Sequence, residues 1–296
     1  MSKKHPVVVI TGSSGAGTST VKKTLISIFN RQKINPAVIE GDSFHRFNRE
    51  EMKNLQEQAI SAGESFSQFG ADANQFERLE QLFREYGEKN SGEQRYYLHN
   101  TEEVAHHAQR LGMTFKPGQF TPWESIPADT DLLFYEGLHG LIKTASVDLP
   151  SYVDLKVGVV PVVNLEWIQK IHRDSAERGY SEEAIVDNIL RRMPDYVKFI
   201  TPQFSETDIN FQRVATVDTS NPFVAREIPT LDESFVVIQF SNPDIRHTDF
   251  SNLLNMIHGS FMSRRNTIVV PGGKMGLAME IIFPPIIADL MERRKD

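Results

Sequence analysis

The sequence of 296 residues contains no cysteine, which excludes disulfides, thiolate metal sites and thiol redox switches. No apolar run reaches the ~18 residues that a membrane span requires, so no membrane partner is expected. Positive charge is not in excess either: 32 Lys and Arg against 39 Asp and Glu leave a net charge of −7, which argues against a nucleic-acid partner. The opening MSKKHPVVVITG holds only a short apolar run (Val7 to Ile10) before glycine, too little for a signal peptide, and a cytoplasmic protein is expected. The patterns H-E-x-x-H and G-x-S-x-G are absent, which removes the usual zinc-protease and serine-hydrolase readings. What remains is an ordinary globular composition, 40% hydrophobic and 24% charged, read as one domain over residues 1–296.

One further absence is local. ITGSSGAGTST (Ile10 to Thr20) matches the phosphate-loop pattern G-x-x-x-x-G-K-[ST] at Gly12, Gly17 and Ser19, but Thr18 stands where the lysine belongs. Backbone N–H groups along Gly12, Ser13, Ser14, Gly15, Ala16, Gly17, Thr18, Ser19 and Thr20 would cradle phosphates at a helix N-terminus. A tight strand-to-helix turn is the alternative. The context favours the first: the strand-like VVVIT (Val7 to Thr11) precedes the loop, and VKKTLISIF follows with Val21, Leu25, Ile28 and Phe29 at helical spacing. The Ser19 hydroxyl then suits Mg²⁺, or is an ordinary first-turn serine. The glycines do not fit the dinucleotide pattern G-x-G-x-x-G.

Further strand patterns, AVIEGD (Ala37 to Asp42), DLLFYEG (Asp131 to Gly137) and DLKVGVVP (Asp154 to Pro161), run into Gly- or Asp-bearing loops with helical stretches between them. That alternation predicts an α/β fold with a mainly parallel sheet covered on both faces, whose ligands bind at the carboxyl strand ends. Arg49 to Gln94 reads as a charged, mostly helical insertion. Asn164 to Met193 holds two helices, the first stopped at Gly179 and the second capped by Ser181. ESFVVIQF and NTIVVP are further strands, and the helix from Gly276 is expected to break at Pro284-Pro285.

Four clusters carry candidate chemistry. Asp42, just past a strand end, is followed by His45, Arg46, Arg49 and Lys53, a set suited to an anionic substrate whose hydroxyl loses a proton; a solvated helix start capped by Asp42 is the alternative. Glu136 ends an apolar strand where phosphate-loop enzymes place an acid near the metal, or is a strand-end carboxylate in water. His139 is read as structural. On one helix Lys170, Arg173, Asp174 and Arg178 share a face, either a salt-bridged solvated face or a basic surface over a phosphate site. Leu190 and Met193 are expected to pack, leaving Arg191 and Arg192 for a ligand or another subunit. His106-His107 lacks a metal-ligand partner.

Taken in order, GSSGAGTST, EGDSFHRFNR, FYEGLHG, VVPVVNLEWIQKIHRD, TPQFSETDINFQRV, VDTSNPF and VVPGGK resemble the bacterial-type phosphoribulokinases over nearly the whole chain, and that family also carries threonine at the loop-lysine position. The resemblance implies a P-loop kinase fold, nucleotide monophosphate kinase-like, with a mixed, mainly parallel sheet of about seven strands flanked by helices. It implies ATP- and Mg²⁺-dependent phosphorylation of O1 of D-ribulose 5-phosphate. By matching motif, Asp42 would be the general base, Ser19 and Glu136 the metal-associated pair, and Asp174 a further acid near the transferring phosphate. Lys170, together with Arg173, would serve the transition state. His45, Arg49, Lys53, Arg173 and Arg178 would contact the sugar phosphate, with Tyr97 and His99 from RYYLH on the same side. The resemblance also implies a homo-oligomer with NADH and AMP as effectors; Gln239 replaces an effector-site arginine, while Arg31 and Arg264 match the rest. Alternative readings are a uridine-kinase-like or other sugar-phosphate kinase, and a nucleotide-sensing regulatory protein.

Overall fold

The computed structural model describes residues 5–13, 17–179, 181–225, 227–241 and 248–294. The elements in chain order are β1 (Val7–Gly12), α1 (Thr18–Arg31), β2 (Pro36–Glu40), α2 (Arg49–Ser61), α3 (Phe76–Lys89), β3 (Glu93–Gln94), α4 (Thr101–Leu111), β4 (Glu124–Ser125) and β5 (Leu132–Gly137). They continue as β6 (Leu155–Val160), α5 (Val163–Arg178), α6 (Glu182–Asp195), β7 (Ile209–Ala215), β8 (Ser234–Phe240), α7 (Phe250–Met256), β9 (Phe261–Arg264), β10 (Thr267–Pro271) and α8 (Met275–Arg293). One eight-stranded sheet runs in the order β2-β5-β1-β6-β7-β8-β10-β9, and β3 pairs with β4 apart from it. The sheet thus has eight strands rather than about seven.

Pairings from β2 to β7 are parallel and those from β7 to β9 antiparallel, so the expected mixed, mainly parallel α/β architecture holds. The two halves are buried differently. On β1, Val8 and Ile10 pack under α1 and α8, while Val7 and Val9 face α3 through Leu79, Leu82 and Phe83. A strand covered on both sides must be apolar throughout, which is why VVVI carries no alternation. On β8 burial alternates: Val236, Ile238 and Phe240 are buried, and Gln239 is exposed. This is the one-sided antiparallel pattern.

Local signals place the helices. Gly17, at φ 101°, turns the chain into α1, and Gly179, at φ 69°, ends α5 as expected. The Ser181 hydroxyl accepts from the Ala184 N–H at the start of α6. Two expectations are corrected. α8 runs through Pro284-Pro285 without ending. Each proline costs about 3 kcal/mol in a helix interior, but Met279, Ile282 and Phe283 before them and Ile286, Ile287 and Leu290 after them enter one core. At about 1.5–3 kcal/mol for each buried large side chain, that packing outweighs the breakers. Leu190 is 51% exposed rather than packed, because α6 turns Ile185 and Ile189 onto Ile171.

Candidate active site

The carboxyl ends of β2, β5 and β1 form one row, with Glu40, Glu136 and Ile10 side by side in register. The chain beyond each therefore leaves the sheet at a common edge. Gly41 and Gly137 make this approach possible: a Cβ on either would come within 2.8 Å of the other's Cα.

From β1 comes the glycine loop. Gly12 closes the strand, Ser13 is buried, and the Gly17 carbonyl accepts from the Thr20 N–H at 3.0 Å to start α1. Thr18 is buried, whereas Ser19 and Thr20 are exposed at the helix N-terminus. Ser14, Gly15 and Ala16 lie outside the described residues. Glu136 faces this helix start. Burial raises its carboxyl above the ordinary value, opposed by the Lys22 ammonium and the Thr18 hydroxyl. Lys22, one turn beyond Thr18, stands 2.5 Å from Glu40 and 3.8 Å from Glu136.

Past β2 the chain makes a 3₁₀ turn (Gly41–Phe44) that carries Asp42. Asp42 does not cap a helix; Asn48 does, accepting from the N–H groups of Glu50 and Glu51 while Glu51 closes a capping box. Asp42 Oδ1 is 3.2 Å from His45 Nε2, and Oδ2 is 3.8 Å from His99 Nε2. The Asp42 side chain is 40% open to solvent. Burial pushes its carboxyl up, but His45 and His99 outweigh it and hold the group below its ordinary value. Burial likewise pushes His45 down, and Asp42 with Asn74 raises it above 6.5 overall. Tyr97 lies edge-on to both imidazoles, 6.5 Å from His45 and 4.9 Å from His99 between ring centroids. Arg49 opens α2 and donates from Nη2 to the His99 carbonyl at 3.0 Å. Lys53 is three-quarters exposed and stands 3.7 Å from Glu57.

On α5 the shared face is present. Lys170 and Arg173 both bond the buried Asp174 carboxylate, Arg173 through Nη2 at 3.0 Å. The Arg178 side chain lies outside the described set. His139 is buried and its ring nitrogen meets the Phe69 carbonyl at 3.1 Å; burial pushes its pKa down to about 3.

Several functional candidates escaped the sequence. Lys22 was open to helical spacing, being four residues from Thr18. Arg192 of α6 is not among them, since the sequence leaves it for a ligand or another subunit: it lies over the Phe69 ring at 4.2 Å, and burial lowers it to about 10 against the pull of Asp174, Glu166 and Asp195. Asn74, 2.8 Å from His45 Nδ1, carries no sequence signal, since only folding brings residues 45 and 74 together. The same holds for a cleft of about 170 Å³ between the start of α1, the end of β6 and the turn into α8. Its walls are mainly apolar, including Val160, Pro161, Leu165 and Met275, with Thr20, Glu166, Gln169 and Arg213 as polar exceptions. Such a slot beside a phosphate loop has the shape and chemistry for a flat heterocycle.

The family model described as phosphoribulokinase / uridine kinase matches residues 7–220. The chain is 58% identical over 296 residues to the chromosomal phosphoribulokinase of Cupriavidus necator, covering 100% of this chain and 99% of that relative. It is 56% identical to the phosphoribulokinase of Nitrobacter vulgaris, with the same coverage. The solved phosphoribulokinase from Rhodobacter spheroides superposes with a TM-score of 0.89 at 53% identity, over 100% of both chains. A P-loop kinase fold follows, and the chain belongs to the phosphoribulokinase / uridine kinase family.

Proposed function

We propose that this chain transfers the γ-phosphoryl group of ATP to O1 of D-ribulose 5-phosphate, giving D-ribulose 1,5-bisphosphate and ADP. The observation that carries the reading is Asp42 at the common strand edge, flanked by two imidazoles beside the basic Arg49 and next to the phosphate loop. The full-length likeness to phosphoribulokinases supports the choice of acceptor.

In this reading the loop from Gly12 to Thr20 holds the phosphates through backbone N–H groups, and the apolar cleft takes the purine. Asp42 accepts the O1 proton as O1 bonds to the γ-phosphorus and the bridge to the β-phosphate breaks, releasing ADP. His45, His99, Tyr97, Arg49 and Arg178 bind the pentose phosphate, with Lys53 at the periphery. Lys170 and Arg173 stabilise charge on the transferring group, and Asp174 holds both cations in place. Ser19 and Glu136 fit Mg²⁺: they offer hard oxygen donors, and no cluster of three or more His, Cys, Asp or Glu forms a ready-made cage among the described residues. Few protein ligands is the usual Mg²⁺ arrangement, with phosphate oxygens and water completing the shell. Bound there, the ion would neutralise phosphate charge. A homo-oligomer responding to NADH and AMP rests on the family resemblance.

An ADP-release assay across pentose phosphates and nucleosides, with the product identified by phosphorus NMR, tests the reading. Turnover with ribulose 5-phosphate is expected. Turnover with uridine alone, or ATP binding without any acceptor, would overturn it.

A further inference from the structure

The amide of Asn74 is fully committed. Asn74 is 2% exposed, and its Nδ2 donates to the carbonyls of Gln68 at 2.9 Å and Gly70 at 2.7 Å. Turning the amide over would set its oxygen against two carbonyl oxygens, so the orientation is fixed by the backbone. Its Oδ1 therefore stands 2.8 Å from His45 Nδ1 and only accepts, which requires a proton on Nδ1. His45 itself is buried. Its other nitrogen, Nε2, lies 3.2 Å from Asp42 Oδ1. A neutral ring with its proton on Nδ1 would present a lone pair to a carboxylate, which is repulsive. Both nitrogens must carry protons for this contact to be favourable.

We infer that Asn74 is a positioning residue that fixes His45 as a doubly protonated imidazolium paired with Asp42. The chain Asn74–His45–Asp42 thus holds one proton more than a neutral histidine beside a carboxylate would. This inference rests on the reading of Asp42 as the base facing the acceptor. It gives His45 a fixed positive charge at the acceptor site, which favours an anionic substrate there.

The surrounding groups are consistent with this. Asp42 favours the charge from the same turn, and His139, after β5, is kept neutral by burial. Arg192 from α6 opposes it, and Tyr97 and His99 stand across the recess. Asp42 and Asn74 prevail over Arg192 and burial, leaving His45 raised.

The test is nitrogen NMR of histidine-labelled full-length protein, with the His45 signals identified by their loss in His45→Gln. In the wild type at pH 6.5, the ordinary imidazole value above which His45 is raised, and without substrate, both His45 nitrogens are expected predominantly at protonated positions. In Asn74→Leu the ring is expected to become neutral with its proton on Nε2, and its proton affinity to fall at least tenfold. In that variant kcat/KM for ribulose 5-phosphate should fall about tenfold with KM for ATP unchanged, and its alkaline decline should start at lower pH. A singly protonated His45 in the wild type overturns the inference, even if Asn74→Leu does not fold. An imidazolium that persists in a folded Asn74→Leu overturns it as well. The NMR result does not depend on the reaction, so a protein with the expected imidazolium but no pentose-phosphate turnover would sink the functional reading and leave the proton assignment standing.

Discussion

In the proposed reaction Asp42 and Lys170 are the two side chains on which the chemistry turns. A positioned base contributes roughly 10²- to 10⁴-fold to kcat, and Asp42→Asn should lose that much while ATP affinity stays as it is; near-normal turnover in the folded variant would remove Asp42 from the role. The same variant has a stability signature. His45 is raised above 6.5, so its pairing stabilises the fold fully below 6.5 and fades as pH climbs through the raised value. Asp42 is held below 3.8, so it contributes above 3.8 and loses this as pH falls through the lowered value. The melting-temperature gap between wild type and Asp42→Asn should therefore be widest between 3.8 and 6.5 and shrink on either side. Lys170 addresses the missing loop lysine. Thr18 brings a hydroxyl to Glu136 but no charge, and Lys22 is engaged by Glu40. Lys170 and Arg173 are cations already fixed on a buried acid, with little reorganisation left at the moment of transfer. Lys170→Met should cut kcat by about 10²-fold or more, as loss of a preorganised charge does, with ATP affinity measured without sugar nearly unchanged. Wild-type kcat in that variant would return the role to the loop.

At the scale of elements, the sequence was most legible where one residue decides a boundary. Gly179 and Ser181 ended one helix and began the next as their chemistry requires, and the apolar runs of β1, β5 and β6 left no alternative to buried strands. β7 went unread because Asn210, Gln212 and Arg213 dilute its apolar pattern, and pairing between β6 and β8 supplies what its composition lacks. Pro284-Pro285 misled for the opposite reason: a strong local signal lost to a core it does not encode. The site divided in the same way. Asp42, Glu136 and the glycine loop announce themselves at strand ends, while Asn74 acts through the His45 ring and Arg95 through the carbonyls of Ser43 and His45, partners that only the fold brings near. Arg95, just past β3, stacks 3.7 Å from the Phe120 ring and donates to the carbonyls of Ser43 at 2.8 Å and His45 at 2.5 Å. It thereby clamps the 3₁₀ turn that carries Asp42. Arg95→Leu should lower kcat/KM for the sugar phosphate on the order of 10-fold or more through misplacement of that turn, and Arg95→Lys should not restore it, because a single ammonium lacks the fork that spans two carbonyls. Unchanged kinetics in Arg95→Leu would mean that the turn holds itself.

Across the whole molecule the sheet changes character where the nucleotide would lie. Its parallel half delivers the phosphate loop, Glu136 and Asp42 to one edge, while the antiparallel half leads through β10 into the turn at Gly272–Lys274 and the start of α8. The apolar cleft lies along the junction, lined from the parallel side by Val160, Pro161 and Leu165 and from the other by Val236, Met275 and Gly276. If the cleft takes the purine, the two halves have separate tasks: one performs the transfer, the other completes the nucleotide's seat. Gly276 separates these tasks experimentally. A Cβ there meets nothing within 4 Å, and Gly276 lines the cleft. Replacing a helical glycine also gains about 0.5–1 kcal/mol of backbone preference, partly reduced for an aromatic residue. Gly276→Phe should therefore keep or slightly raise the melting temperature, because the ring fills empty space against apolar walls. It should raise KM for ATP at least about tenfold, equivalent to ~1.4 kcal/mol of lost binding, while KM for ribulose 5-phosphate at saturating ATP stays within about twofold, since the acceptor recess is built from other elements. A stable Gly276→Phe enzyme with unaltered KM for ATP would place the purine elsewhere and leave the cleft a packing defect between the two halves of the sheet.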